Sequence, residues 1–357
     1  MGAILIVNAG STSLKLRLVS EDERVDEIES FDAVRPDDVD AVGHRVVHGG
    51  RHLVEPTLID DGVRASIGQL ESIAPLHNAP ALAGIDAAAR ALPDVPHVAV
   101  FDTAFHATIP AEAATYALPR VWREEWEIRR YGFHGLSVQW CSERAPELLG
   151  RSPSKLRLVV CHLGGGCSVT AVHDGRSVDT TMGFSPLEGV PMTTRSGSVD
   201  PGALLYVQRE HGMSVDDLDR TLNEESGLRG LSESSGDVRD LEAAAPEDER
   251  ARLALAVYTY RIAGAVAAMA ASAGGLDALV FTAGVGEHSA GVRAAVGGRL
   301  AFLGVDVDAD LNERSMPDAD VSSSDSVVRV LIIAAREELV IARAARELLG
   351  ENGALAR

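Results

Sequence analysis

The sequence predicts an α/β protein of two similar lobes, and two observations carry that expectation. One is a short glycine and hydroxyl loop, Asn8-Ala9-Gly10-Ser11-Thr12-Ser13-Leu14-Lys15, set between two strand-like runs. The other is its looser echo in the second half of the chain, Leu163-Gly164-Gly165-Gly166-Cys167-Ser168, again between strand-like runs. A turn of this kind aims several backbone N–H groups at one point, and such a concavity holds anions, phosphate above all. One nest in each half suggests two lobes gripping one nucleotide. With 357 residues the chain has the length of two domains.

Each element follows in order. Ile4–Val7 is a continuous apolar run, typical of a buried strand. Leu14, Leu16 and Leu18 alternate with Lys15 and Arg17, typical of a half-buried partner strand, so the loop closes a hairpin. Ser20–Asp40 is acidic and weakly patterned and reads as surface loop, whereas Ala41–His48 reads as a strand ended by Gly49-Gly50. Ala79–Leu92 is helical by composition and stops at Pro93. Val98–Phe101 is a short buried strand that leaves Asp102 at its carboxyl end, the end that faces the ligand crevice in open α/β sheets. Gly135–Leu149 reads as a helix closing the first lobe, and the polar, proline-containing Gly150–Ser154 sets a boundary, giving lobes 1–150 and 151–336.

The second lobe opens with the strand Lys155–His162, the echo loop and the return strand Ser168–His173, with a turn at Gly175. Pro246, followed by Glu247, Asp248 and Glu249, opens a long helix, because proline suits the first helical turn and acids there favour the dipole. Gly274-Gly275 ends it. Leu279–Thr282 is a strand leading into Ala283-Gly284-Val285-Gly286-Glu287 and a helix, Val327–Ile333 is the last strand, and Glu337–Leu349 is a terminal helix.

Composition narrows the partners. A net charge of −20 argues against polynucleotides, which call for a basic face. Ala3–Val7 is too short an apolar run for a signal peptide and lacks a basic leader, and the Ala-rich Ile262–Ala273 is too short to span a bilayer. Cys141, Cys161 and Cys167 show no CxxC spacing, which fits a reducing cytoplasm. No membrane or nucleic-acid role is expected.

Eight segments carry candidate chemistry. Lys15 is one of only two lysines, the other being Lys155, and a compact ammonium beside a glycine-hydroxyl turn serves as a point charge for phosphate. The P-loop spacing is absent. Gly43-His44-Arg45-Val46-Val47-His48 places two histidines and an arginine in an apolar strand, which needs a partner such as an anionic ligand unless the strand is an edge. Asp102 either meets ligand, metal-bound water or arginine, or caps the following helix. In Arg130-Tyr131-Gly132-Phe133-His134-Gly135 the glycines allow close backbone approach to a ligand. Thr181–Asp200 is a long glycine, proline and hydroxyl segment holding Arg195, able to clamp a carboxylate or phosphate bidentately. Ser235-Gly236-Asp237-Val238-Arg239, Gly284-Val285-Gly286-Glu287 and Glu337-Glu338 complete the set, with Glu337 either a carboxylate for Mg²⁺ through water or the charged first turn of the last helix.

The wording of these motifs in order, Asn8–Lys15, His44–Gly50, Phe101–His106, Tyr131–Gly135 and Gly183–Gly189, closely resembles the acetate kinase family, within the acetate and sugar kinase, Hsp70 and actin superfamily. The resemblance runs from Ile4 to about Arg346. It implies two ribonuclease-H-like lobes facing a central cleft, with the terminal helix 337–357 returning to the first lobe. It implies a cytoplasmic homodimer, Mg²⁺ (with Mn²⁺ as an alternative), ATP and ADP as co-substrates, and reversible direct in-line transfer of the γ-phosphoryl group to acetate, giving acetyl phosphate.

By that resemblance Asn8 and Glu337 match metal positions, and Ser11, Ser13 and Lys15 belong to the ATP loop. Arg45 matches the substrate-binding arginine, Asp102 the catalytic aspartate, and His134 and Arg195 the two transition-state stabilisers. Val47, Leu76, Phe133 and Pro186 match the pocket for the acetate methyl. His162, Leu163, Gly164, Gly165 and Gly166, then Asp237, Val238 and Arg239, then Gly284, Val285, Gly286, Glu287 and His288, match nucleotide segments. The chain departs from the family's pattern at Gly165, where asparagine is usual, at His288, also usually asparagine, and at Ala334-Ala335-Arg336 in place of Pro-Thr-Asn. Rival readings are a propionate or butyrate kinase, which Val47 disfavours by narrowing the pocket, and a nucleotide-driven switch, which would not need Arg45, Asp102, His134 and Arg195 together.

Overall fold

The computed structural model describes residues 2–9, 14–70 and 75–355, apart from the side chains of 75–77 and 351–355. The chain divides into two compact units. Met1–Ala107, Phe133–Trp140 and Arg336–Arg357 form the first, and Thr108–Gly132 with Cys141–Ala335 form the second. The polar stretch at residue 150 is therefore not the boundary, because 108–132 and 141–150 fall with the second unit. There Thr108 Oγ1 donates to the Ser177 carbonyl at 2.8 Å, Arg130 donates to the Thr180 carbonyl at 2.7 Å, and Arg144 meets Asp318 at 2.7 Å.

The first unit is built on a six-stranded sheet of β1 (Ala3–Ala9), β2 (Leu14–Val19), β3 (Val25–Ile28), β4 (Val39–Val46), β5 (Thr57–Leu58) and β6 (His97–Phe101), in the order β3-β2-β1-β4-β6-β5. β1, β4 and β6 run parallel, and the hairpin partner β2 is antiparallel, with Lys15 opposite Asn8. The run Ile4–Val7 is apolar throughout because helices cover both faces. Leu5 and Val7 pack with Ala88 and Leu92 at the end of the Pro75–Ala91 helix, and Ile4 and Ile6 pack with Leu339, Val340 and Ile341 of the Glu337–Leu355 helix. Each such side chain contributes about 1.5–3 kcal/mol on burial. Gly43 lets the terminal helix approach, since a Cβ there would stand 2.6 Å from Ile341 Cγ2. β3 lies within the stretch expected to be loop. Its Val-Asp-Glu-Ile sequence is half acidic, a composition that an edge strand tolerates.

The second unit holds β7 (Arg157–Leu163), β8 (Cys167–His173), β9 (Arg176–Thr180), β10 (Ala278–Thr282), β11 (Ala319–Asp320) and β12 (Arg329–Ile332), in the order β11-β12-β10-β7-β8-β9. From the opposite edge this is β9-β8-β7-β10-β12-β11, the strand order of the first sheet with each strand replaced by its counterpart.

The Glu249–Ser272 helix packs on β7, β8 and β9 through Ala254, Tyr258, Ile262 and Val266. The helix has 24 residues and contains an 18-residue window apolar enough to cross a membrane by length and composition, beyond the reach of the Ile262–Ala273 stretch alone, and 44% of that window is buried. The helix starts after Pro246, not on it: Asp248 is the cap, accepting from the Arg250 N–H at 2.8 Å. Four helices beyond those expected from the sequence, Pro201–His211, Val215–Glu224, Gly227–Ser232 and Val238–Ala244, fill the stretch after Asp200.

Candidate active site

In the first unit, four candidate residues meet at the carboxyl ends of the parallel strands. β1 brings Asn8, β4 brings Arg45, the residue after β6 is Asp102, and the first turn of the terminal helix brings Glu337. Arg45 grips Asp102 with both branches, Nη2 to Oδ2 and Nε to Oδ1 at 3.3 Å. Arg45 Nη1 donates to Asn8 Oδ1 at 3.4 Å, and its Nε lies 3.4 Å from Glu337 Oε2. The Asp102 side chain is 1% exposed and that of Arg45 17%. Burial raises the Asp102 carboxyl above the usual carboxylate range; Arg45 opposes the rise and Glu337 adds to it. Burial also works against the Arg45 charge, but the two carboxylates outweigh it and hold Arg45 charged. Asp102 is thus an arginine's partner; the strand β6 continues into a 3₁₀ turn, Ala104–Thr108, not into an α-helix that it would cap.

β4 is a central strand, so its polar residues do not escape to water at an edge. His44 and Arg45 point to opposite faces. His44 is fully buried, 2.9 Å from His97 Nδ1 with the rings stacked, and burial holds its pKa down to about 3. Its partner is therefore another histidine, not an anionic ligand. His48 accepts from the Gly50 N–H at 2.9 Å through Nδ1 and packs edge-on against Phe133.

The Phe133–Gly135 segment is fastened to the same strand end. The Gly135 N–H donates to the Asp102 carbonyl at 2.9 Å, where a Cβ on Gly135 would collide, and His106 Nε2 lies 3.0 Å from the Phe133 carbonyl. His134 sits between them in the left-handed region, φ 59°, a conformation non-glycine residues adopt at a cost and hold only when the surroundings enforce it. Phe133 and Val47 are buried, and Lys15 is exposed. Ser11, Ser13 and the side chain of Leu76 lie outside the described residues.

In the second unit, four candidate segments converge. The Gly164–Gly166 turn links β7 to β8, with the Gly164 N–H donating to the Gly166 carbonyl at 3.0 Å. The Gly165 carbonyl accepts from Thr193 at 3.4 Å, Gly236 backs directly onto Thr193, and Gly164 faces Ala283 at the end of β10. His162 is buried beside Thr282, whose buried hydroxyl has no hydrogen-bond partner among the described residues. Ala283 is strained at φ 64° where β10 turns into the short Ala283–His288 helix, which leaves Gly284 exposed and buries Gly286. His288 ends that helix. Leu163 and Val238 bury their side chains in the core, so only their backbones can face a ligand. Asp237 caps the Val238–Ala244 helix and pairs with Arg239 at 2.5 Å, which holds its carboxyl down to about 2. Val285 is half-buried, and Glu287 accepts from the Ala335 N–H at 2.9 Å.

Arg195 lies in the structureless Thr181–Asp200 stretch, mostly buried, with Nη1 3.4 Å from the Pro186 carbonyl. Burial lowers its pKa. The stretch is fixed by close packing at glycine: a Cβ on Gly197 would stand 2.6 Å from the Gly189 carbonyl.

Residues 25–343 match the Acetokinase family. The chain belongs to that family. It is 52% identical over 310 residues to an acetate kinase of Gloeobacter violaceus, covering 86% of this chain and 76% of that one, and 49% identical over 316 residues to an acetate kinase of Nostoc punctiforme, covering 88% and 78%. Among solved structures it resembles Porphyromonas gingivalis acetate kinase (34% identity, TM-score 0.87, covering 98% of this chain and 100% of that one). It equally resembles a propionate kinase from Francisella tularensis (36%, TM-score 0.89, 96% and 99%).

The acetokinase chain here carries a Gly165 whose Cβ position is open, with nothing within 4 Å, so the missing asparagine leaves space and not strain. In the departing Ala334-Ala335-Arg336 segment the first two backbone N–H groups are taken up by Asp318 and Glu287. Sequence reasoning missed the residues that fasten the Arg195 loop, Tyr116 above all, which lies in irregular chain without any motif.

Proposed function

We propose that this member of the acetokinase family is an acetate kinase, moving the γ-phosphoryl group of ATP reversibly to acetate by direct in-line transfer. The observation that carries the reading is the Arg45 cluster: a buried, permanently charged fork beside Asp102, Asn8 and Glu337. Acetate is already a carboxylate nucleophile, so no group need remove a proton. Catalysis then rests on positioning and charge stabilisation. Arg45 binds the acetate carboxylate bidentately, and Asp102 holds the Arg45 fork. Arg195 and His134 neutralise charge on the equatorial phosphoryl oxygens. Val47, Leu76, Phe133 and Pro186 form the methyl pocket. One added methylene is worth about 1–3 kcal/mol of discrimination, so propionate is a poorer substrate but not an inert one.

Ser11, Ser13, Lys15 and the segments 162–166, 237–239 and 284–288 take the nucleotide. The cluster suits Mg²⁺, with Mn²⁺ as an alternative. Asn8 and Glu337 offer hard oxygen donors, and Mg²⁺ is usually held by one or two such groups plus substrate phosphates. Among the described residues no group of three or more His, Cys, Asp and Glu forms an all-protein cage. When bound, the ion would be held by Asn8 and Glu337 and would supply charge neutralisation to the transferring phosphate. A homodimer and a cytoplasmic location belong to the proposal, the latter supported by three buried cysteines that remain thiols.

The test is ADP formation with and without acetate, in the wild type and in Arg195→Ala. Acetate-dependent ADP formation that drops about 10²–10³-fold in kcat in the variant is expected. ATP hydrolysis indifferent to acetate would instead mark a nucleotide-driven switch.

A further inference from the structure

The Arg195 loop is held by a charged network that the reaction itself does not require. Tyr116 donates its hydroxyl to Glu188 Oε2 and accepts from the Phe184 N–H at 3.0 Å. Arg130 reaches Glu188 Oε1 from the other side at 3.1 Å and lies over the Tyr116 ring. The same guanidinium donates through Nη1 to the carbonyls of Thr180, Thr181 and Met182, at 2.7, 3.1 and 3.1 Å. Tyr131 and Gly132 both donate to the Gly183 carbonyl. Gly183 is a glycine because the network passes over it: a Cβ there would fall inside Glu188 Oε2 and Tyr116 Oη.

These bonds end on the loop Gly183–Gly189 or on the three residues that lead into it, and the Pro186 carbonyl of that loop accepts from Arg195. Packing does not do this job alone. A cavity of about 840 Å³ opens behind Glu188, Gly189 and Val190. Burial and the Glu188 carboxylate push the Tyr116 hydroxyl up, so it stays a donor. The Glu188 side chain is about a third exposed and that of Arg130 17%, so the charges are partly desolvated and their bonds directional.

We propose that Tyr116, Glu188 and Arg130 are positioning residues that fix the Pro186 loop and the Arg195 guanidinium, and through them set acetate use and acyl-chain selectivity. This rests on the roles assigned to Pro186 and Arg195 above.

Steady-state kinetics of the wild type, Glu188→Ala, Glu188→Gln and Tyr116→Phe with acetate, propionate and ATP test it. Glu188→Ala is expected to lower kcat/KM for acetate by about 10²-fold, the usual scale for a misplacement of about 1 Å. Tyr116→Phe is expected to lower it by about tenfold, the equivalent of one charge-assisted bond of about 1.4 kcal/mol. Glu188→Gln keeps an oxygen for Tyr116 and recovers most of the loss. The acetate over propionate ratio narrows in Glu188→Ala and Tyr116→Phe, while the KM for ATP is unmoved. A folded Glu188→Ala with wild-type kcat/KM for acetate overturns the proposal. So does a KM for ATP that rises as much as the KM for acetate, the mark of a merely structural role. Should Glu188→Ala not fold, Tyr116→Phe and Glu188→Gln decide the matter through the selectivity ratio and the KM split. A wild type that makes no ADP on acetate would defeat the functional reading itself and not the network.

Discussion

The β4–β6 strand pair carries a charged pair, Arg45 and Asp102, where its counterpart β10–β12 carries aliphatic Val280 and Ile333. In the first, Val46 stands opposite Phe101 and the next N–H, that of Asp102, donates back to Val46. In the second, Phe281 stands opposite Ile332 and the next N–H, that of Ile333, donates back to Phe281. Counted from these last bonds, Asp102 corresponds to Ile333 and Arg45 to Val280. One scaffold position pair is a buried ion pair in one unit and a pair of core residues in the other. The difference teaches that strand order and register supply a platform at the carboxyl ends of parallel strands, and that a few side chains placed there decide the chemistry.

The largest effect should come from erasing that difference. Arg45→Val leaves the buried Asp102 carboxylate without its cation. A loss of activity of at least about 10³-fold and a destabilisation of about 3–5 kcal/mol are expected, read by ADP formation and by denaturant midpoint. Arg45→Val with Asp102→Ile imposes the second unit's residues on the first. It should recover much of the stability and none of the activity. A double variant less stable than the single would break the equivalence.

Next comes pH. His44, His48 and His106 lie in the first unit, buried, with pKa values held by desolvation down to about 3, 4 and 4. Unfolding raises each toward about 6.5, so between that pH and about 4 the unfolded state binds more protons and stability falls as pH falls. Each group should cost the first unit about 2 kcal/mol at pH 5 relative to pH 7 and above. Hydrogen exchange at pH 5 should accelerate more in β1, β4 and β6 than in β7, β10 and β12; equal acceleration would contradict the assignment.

The smallest effect sharpens the loops. Gly165→Asn fills open space and offers the side-chain donor usual in the family. One added hydrogen bond of about 0.5–1.5 kcal/mol should lower the KM for ATP by up to about tenfold and leave the KM for acetate alone.

Much of this platform is legible in the sequence. β1 and β7 show as apolar runs because both of their faces are covered, and β2 and β8 show as alternating partners around a glycine turn. The chemistry is legible less evenly. Arg45 and His44 look alike as costly polar residues in one strand, but which of them faces a ligand depends on β4–β6 register, which sets His97 opposite Val42 and so diagonally beside His44 on one face. Asp102 can be placed at a strand end but not told from a helix cap, since only the fold brings Arg45 to it. The Pro201–His211 helix is hidden because its side chains are half-buried or exposed and leave no strong apolar period, whereas Val215–Glu224 does carry one, at Val215, Leu218 and Leu222 after the cap Ser214. Tyr116 leaves no local signal, as its role is defined by a residue 72 positions away.

The most direct test is the product. With wild-type protein, ATP, Mg²⁺ and acetate, trapping by hydroxylamine should yield acetyl hydroxamate in amounts equal to the ADP formed, and Arg45→Val should yield neither. ADP released without matching hydroxamate would contradict transfer to the acetate carboxylate and, with it, the role given to the Arg45 cluster.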